Sequence, residues 1–415
     1  MNQRSGFVTS REAARRLGIK LETLYAYASR GLIESVPAPG GRGRRYAVTD
    51  LERLKARHDA RSGHGPVAAA ALSWGEPVLE SAITAFGAAG PYYRGRSAIE
   101  LARAGIGFEA VTELLWKGAL PERPPRWKIG ALSVSPRELR RLLPRHAPPL
   151  AVLGLVVPAL ALADDGRFDP TLEAELGRAR VLVRSLAAAL ALPGHGSVRG
   201  ALRATTTAES AATALGVSDV QRARGAIDLA LLLSADHELN VSTFTARVTA
   251  SAGADLYACV SAALAALSGP RHGGNCDRIE ALVKEVGRPQ DALRALRDRL
   301  RRGEAVHGFS HPLYPDGDPR APPLLAAARS AASDEPRVLS LFAIVEAMNE
   351  LGQAPPTLDV GLVAVALSLG LPPGSAAALF ALGRSAGWIA HVLEQRNTAK
   401  LLRPRARYVG PPPVD

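Results

Sequence analysis

Residues 234–267 read SADHELNVSTFTARVTASAGADLYACVSAALAAL. From Thr243 on, small and apolar side chains recur at the three-to-four-residue spacing of a helix, which predicts one helix over 243–267. Just before it, Asp236, His237, Asn240 and Ser242 interrupt an otherwise apolar neighbourhood. To either side, the same periodicity returns at 108–115, 174–192, 220–233, 279–286 and 338–351, with Pro and Gly between the segments. The most apolar run, 150–163, contains Pro158 and is too short to span a membrane, so it predicts a buried helix. Strand-like alternation is almost missing, and no 20–50-residue repeat suggests a solenoid. The expected fold class is mainly α.

Composition bounds this reading. With 415 residues, 47% hydrophobic and 22% charged, the chain exceeds one ordinary core and is too apolar for wholesale disorder, which favours two or three domains. Aromatics at 5% argue for helices over sheets. Two cysteines, Cys259 and Cys276, supply neither a disulfide framework nor a four-cysteine metal site. The N-terminal MNQRSGFVTSREAARR has no apolar core of a signal peptide. A cytoplasmic protein with no membrane partner is the expectation. Phosphate-loop, dinucleotide, HExxH and GxSxG motifs are missing from the sequence, and nothing in it calls for a metal.

Charge is unevenly placed. The formal net charge is +12, and residues 1–62 alone hold 13 Lys/Arg against 6 Asp/Glu, a surplus of seven. Within them Thr9 or Ser10 caps a first helix with Ala13, Ala14 and Leu17 on its apolar side, and 21–30 forms a second. A hairpin tip then carries Arg42, Arg44 and Arg45, and Thr49-Asp50 starts a third helix at 51–57. The series TSREAARRLGI, TLYAYASRGLI and GRRYAVTDLERL resembles the winged helix-turn-helix of the MerR/excisionase type. That resemblance implies a DNA partner, with Tyr25 on the groove-entering helix and the wing arginines on phosphate. Residues 63–76, rich in small side chains, are the expected linker.

Beyond the linker, polar residues gather in a few apolar settings. These are the 234–242 block, GPRHGG around His272, GFSHPLYPDGDPRA around His311 and Arg320, PTLD ending at Asp359, and RPRARYVG from Arg403. A lone histidine is commonly structural, but three of them together with an aspartate point to a site. In order and spacing these blocks resemble citrate synthase, as does YYRG at 92–95 followed by FEAVTELLWKGALP. The resemblance implies a large helical domain at 77–274 and 371–415, with a small helical domain inserted at 275–370, working as a homodimer. It implies acetyl-CoA and oxaloacetate as substrates, with coenzyme A entering only as the thioester and no further cofactor.

The chemistry asks for particular groups. A thioester α-proton is far too weak an acid for a carboxylate alone, so the enol must be stabilised while a positioned base removes it. By resemblance Asp359 is that base, His272 donates to the thioester oxygen, and His311 is the acid at the ketone oxygen. The dicarboxylate falls to His237, Asn240, Arg320, Arg384 and Arg403, the last reaching across the dimer, since an arginine fork pairs with a carboxylate through two bonds. Ser242 stands in the same block. Val306, His307, Gly308 and Phe309 match the loop whose backbone holds the adenine of CoA, while the side chains of His307 and Cys276 are expected to be incidental.

The sequence also departs from the family. Asn275-Cys276-Asp277 stands where Ala-Asn-Glu is usual, Val360-Gly361-Leu362 replaces an aromatic-Ser-Gly, and Pro312 replaces an arginine. The altered wall near Asp359 raises propionyl-CoA as a substrate, giving 2-methylcitrate. A reading from another class is a transcriptional regulator whose synthase-like dimer senses an acyl-CoA or dicarboxylate.

Overall fold

The computed structural model describes residues 7–17, 19–29, 32–38, 43–48, 50–51, 79–87, 89–144, 146–331, 335–398, 400–404, 408 and 410–411. The chain forms two compact units, residues 1–80 with 404–415, and residues 81–403.

In the first unit, helices Ser10–Leu17 and Leu21–Ser29 pack with three strands, β1 (Phe7–Thr9), β2 (Ser35–Pro37) and β3 (Arg44–Ala47). The Thr9 hydroxyl accepts from Glu12 N at 3.4 Å, so Thr9 caps the first helix. Strands β2 and β3 form the expected wing, and β1 adds to the other edge of β3, giving the order β1-β3-β2. Ala13, Leu24, Ile33, Tyr46 and Leu51 make the core of this unit. Arg42, Thr49, all of the expected third helix except Leu51, and the linker 63–76 lie outside the described residues.

The second unit is helical, as the periodicity predicts, with one exception. Strands β4 (Thr84–Gly87), β5 (Gly90–Tyr93) and β6 (Arg96–Ser97) form an antiparallel meander. Its strands are too short for alternation to register in sequence. The 243–267 pattern is two helices, Val241–Ser251 and Leu256–Leu267. Gly253 at φ +81° breaks the run, and the Asp255 carboxylate caps the second helix by accepting from Ala258 N at 2.9 Å.

The 150–163 run forms helix Pro149–Leu162, but only half of it is buried. Val152, Leu153, Val156 and Val157 face the core, whereas Leu162 is 80% exposed. The long helix Ser375–Thr398 is the one element apolar and long enough to cross a membrane among the described residues, and 94% of its most apolar window is buried inside the protein. That burial makes it the central core helix. It packs against helices Pro149–Leu162, Val220–Ser234, Val241–Ser251 and Leu256–Leu267.

Candidate active site

The site is built around one face of the central helix. Phe380, Arg384, Trp388 and His391 follow at intervals of four, four and three residues, which aligns them on one side. Facing them is the turn after helix Val220–Ser234, tied in by Gly387 N donating to Ala235 O at 2.9 Å. Gly387 permits this approach, because a Cβ there would stand 2.2 Å from Asp236 Oδ1. Arg384 Nε donates to Ser234 O at 2.7 Å. Asp236 meets His391 Nε2 at 3.4 Å, both fully buried. The 234–242 block is thereby clamped at several points.

Asn240 caps the next helix, its Oδ1 accepting from Thr243 N at 3.1 Å and from Ser242 Oγ at 2.7 Å. Its Nδ2 is buried without a protein partner among the described residues. The Ser242 hydroxyl also accepts from Trp388 Nε1 at 3.1 Å and lies 2.8 Å from His272 Nε2. Ser242 N donates to the same Nε2 at 3.3 Å. An amide can only donate, so Nε2 is the acceptor and Nδ1 carries the proton. Burial, with Arg384 nearby, pushes His272 down to about 4, so at neutral pH it is an uncharged imidazole with one donor.

His311 sits on a loop laced to the segment before Asp359. Ser310 N donates to Pro355 O at 3.2 Å and Thr357 N to Gly308 O at 2.8 Å, with a bridge between Phe309 and Pro356. Gly308 is at φ +88°, and a Cβ there would lie 2.6 Å from Ile279 Cδ1, so both its backbone and its surroundings require glycine. Leu313 N donates to His311 Nδ1 at 3.2 Å, leaving Nε2 as the proton-bearing nitrogen. His237 Nε2 lies 3.1 Å from Tyr314 Oη, and its ring stands 5.2 Å from that of His311 and 4.6 Å from Phe86. Burial and the charge of Arg320 hold both His237 and His311 below the usual histidine range.

The two internal arginines differ. Arg320 is buried and paired on one edge, Nε with Asp318 Oδ1 at 2.9 Å and Nη2 with Oδ2 at 2.8 Å. Asp318 also accepts from Leu358 N at 3.0 Å, at the turn entering the helix of Asp359. Arg384 has no carboxylate partner among the described residues. Burial pulls it down to about 10, although Asp236 opposes that shift. Two arginines and three neutral histidines thus converge, and the protein balances the guanidinium of Arg320 alone by direct pairing.

Asp359 is half-buried at the start of helix Leu358–Ser368. Its Oδ2 accepts from Thr357 Oγ1 at 3.3 Å and its Oδ1 from Cys276 Sγ at 3.6 Å. Cys276 is therefore no bystander. Burial and the neighbouring Asp359 push its thiol well up, so it stays protonated and can donate. His272, Cys276 and Asp359 line one gap of about 10 Å³ with Leu150, Leu267 and Phe380.

Other expected residues sit at the periphery. Val306 and His307 are half-buried and Phe309 is buried on the His311 loop, where Arg278 and Arg299 add positive charge near His307. Arg403 is exposed, with no side chain of the site bonded to it among the described residues. In the first unit Tyr25 is 49% exposed on the second helix. Arg44 is exposed but bonds Ser35 through Nε and Nη2 at 2.9 Å, and Arg45 Nη2 bonds Phe7 O at 2.6 Å, so both also brace the sheet.

Sequence reasoning passed over Phe86, Tyr314, Asp318 and Trp388. Two of them had a signal: Asp318 stands two residues before Arg320, and Trp388 one helical turn after Arg384.

The family described as "Citrate synthase, C-terminal domain" matches residues 71–405, and a "Helix-turn-helix domain" family matches residues 7–59. Citrate synthase 2 of Bacillus subtilis is 38% identical over 189 residues, which span 45% of this chain and 51% of that protein, about half its length. The citrate synthase of Haloferax volcanii is 33% identical over 343 residues, 78% of this chain and 90% of that one. Among solved structures, the ternary complex of carboxymethyl coenzyme A and oxaloacetate with citrate synthase from Thermoplasma acidophilum superposes with a TM-score of 0.70 at 26% identity, covering 81% of this chain and 95% of that one. With its fold, its clustered residues and its full-length relatives in agreement, the chain belongs to the citrate synthase family.

Proposed function

We propose that the second unit condenses an acyl-CoA with oxaloacetate and hydrolyses the product, acetyl-CoA giving citrate and free CoA. The observation that carries this reading is the fixed hydrogen-bonding state of His272. With Nε2 held as acceptor by Ser242 N, Nδ1–H is the group left to donate to a thioester oxygen, beside a gap that Asp359 also lines. Asp359 takes the α-proton as negative charge builds on that oxygen, and His272 stabilises it. The enolic carbon attacks the ketone of oxaloacetate while His311 Nε2–H donates to the ketone oxygen. The carboxylates of oxaloacetate fall to Arg384 and the unpaired edge of Arg320, with Asn240 Nδ2 as a further donor. Water then cleaves the thioester. The departures around Asp359 keep propionyl-CoA in the substrate class. The 306–309 loop, with Arg278 and Arg299 near, suits an anionic nucleotide such as CoA.

The working unit in this reading is a homodimer. Helix Pro149–Leu162 is apolar throughout yet leaves Leu162 80% exposed, and Phe168 and Leu172 beside it are 65% and 60% exposed. A second copy is the natural cover for such a face, and Arg403 would complete the partner's site. The test of activity is thiol release from acetyl-CoA. Release that depends on oxaloacetate and disappears in Asp359→Asn is expected, and release that ignores oxaloacetate refutes the reading.

A second reading concerns the first unit. Its helix-turn-helix, wing and basic surplus support binding of duplex DNA by the full chain, regulated or tethered by the synthase unit. Failure of the full-length protein to retain any genomic fragment at low salt would remove it.

A further inference from the structure

The gap between Asp359 and His272 has a shape that the reaction alone does not require. In the proposed chemistry the α-carbon of the thioester lies within reach of both groups, so any substituent on that carbon must share the space they line. The remaining walls are Leu150, Leu267, Ala377, Phe380 and the uncharged thiol of Cys276. A volume of about 10 Å³ is near the minimum that holds one water-sized group, and apolar walls make water a poor occupant. A methyl group suits it on both counts. Cys276 contributes to this, since the asparagine usual at that position carries one more heavy atom and a polar amide.

A second cavity of about 300 Å³ lies next to the gap, with Leu150 and Ala377 in the walls of both. Its other walls include Ala151, Gly154, Leu264 and Ala265. Ala377 has nothing beyond Cβ to remove, so Leu150 is the side chain that partitions the two spaces.

We propose that this gap seats the α-methyl of propionyl-CoA, and that Cys276 and Leu150 set the longest acyl chain the enzyme accepts. The inference rests on the synthase reading above. One methylene in an apolar pocket discriminates by roughly 10–200-fold, so the effect is readable as a ratio of specificities.

The experiment measures kcat/KM for acetyl-, propionyl- and butyryl-CoA at saturating oxaloacetate in the full-length wild type, Cys276→Asn and Leu150→Ala, with Leu150→Val in reserve should the alanine variant fail to fold. Ratios cancel any loss common to all three substrates. In the wild type, propionyl-CoA should fall within about ten-fold of acetyl-CoA, and butyryl-CoA at least about ten-fold below propionyl-CoA. Cys276→Asn should lower the propionyl-to-acetyl ratio by about ten-fold, and Leu150→Ala should raise the butyryl-to-propionyl ratio by about as much. Thiol release with both ratios unmoved overturns the assignment and leaves the synthase reading standing. Calorimetric titration of the same three thioesters in the presence of oxaloacetate separates the opposite case. Affinity ratios that move as expected without any thiol release support the pocket and overturn the catalytic reading. No binding of any thioester overturns both.

Discussion

Removing the Asp318 carboxylate tests the electrostatics of the site most directly. Asp318 and Arg320 are each 3% exposed and joined through two bonds, and Asp318 also accepts from the amides of Arg320 and Leu358. Asp318→Ala leaves a buried guanidinium without its counter-charge, which costs about 3–5 kcal/mol. For a unit of this size that is a fall of about 6–10 °C in Tm, at about 2 °C per kcal/mol. The double variant Asp318→Ala/Arg320→Met removes both charges and should be less damaged than the single one, because no isolated charge remains. Scanning calorimetry at pH 7 reads all three proteins.

The pH dependence has a definite sign. Burial would raise the carboxyl of Asp318, but the charge and hydrogen bonds of Arg320 more than offset this and hold it below its ordinary range. A depressed folded-state value gives stability that is present above the unfolded value, about 3.9, and lost as pH falls through the folded one. The gap in Tm between wild type and Asp318→Ala should therefore be complete at neutral pH and close only in strong acid. A single variant within 2 °C (about 1 kcal/mol) of wild type, or a double variant worse than the single, would refute the reasoning.

Three further outcomes follow. Asp359→Asn should lose at least about 10³-fold in turnover while oxaloacetate binding, read by calorimetry, survives, because the substitution removes the base and leaves the arginines. Arg403→Ala and His311→Ala should each be inactive, yet co-refolded together recover up to about one quarter of wild-type activity, since a mixed C₂ dimer places both lesions in one site. No recovery despite confirmed subunit exchange would put Arg403 in its own subunit's site. Changing Arg44 and Arg45 to Ala should weaken DNA retention across all sequences alike and flatten the log–log salt dependence by up to about two units, one for each phosphate no longer neutralised. A slope that stays constant would leave both arginines to brace the sheet.

Most of the helical architecture was legible because burial imposes a period, and the period survives in sequence. What escaped did so for physical reasons. The break at Gly253 lies inside a run of small residues that carries the helical pattern across it. The meander at 84–97 is too short for alternation to emerge. Helix Pro149–Leu162 is apolar on both sides, so composition predicts burial where the fold covers only one face. At the site, His272, His311 and Asp359 were readable as unusual polar groups in apolar settings. Tyr314 and Phe86 were not, because an aromatic residue in an apolar stretch looks the same whether it fills a core or cradles a histidine. Cys276 was misread for a similar reason, as its role comes from an aspartate 83 residues away.

Arg384 also bears on how the protein behaves before any chemistry occurs. The fold surrounds it with apolar side chains and carbonyls, gives Nε a single acceptor, and supplies no directly bonded carboxylate among the described residues. A dicarboxylate bound there becomes, in effect, a missing piece of the protein interior, and its affinity is drawn partly from relieving a charge that folding has already stripped of water. Ligand and fold are then linked by mass action: at one hundred times its Kd, such an anion adds about 2.7 kcal/mol to stability. The keto-acid is thus a folding ligand as well as a reactant, and its cellular concentration sets how long the chain persists as well as how fast it turns over.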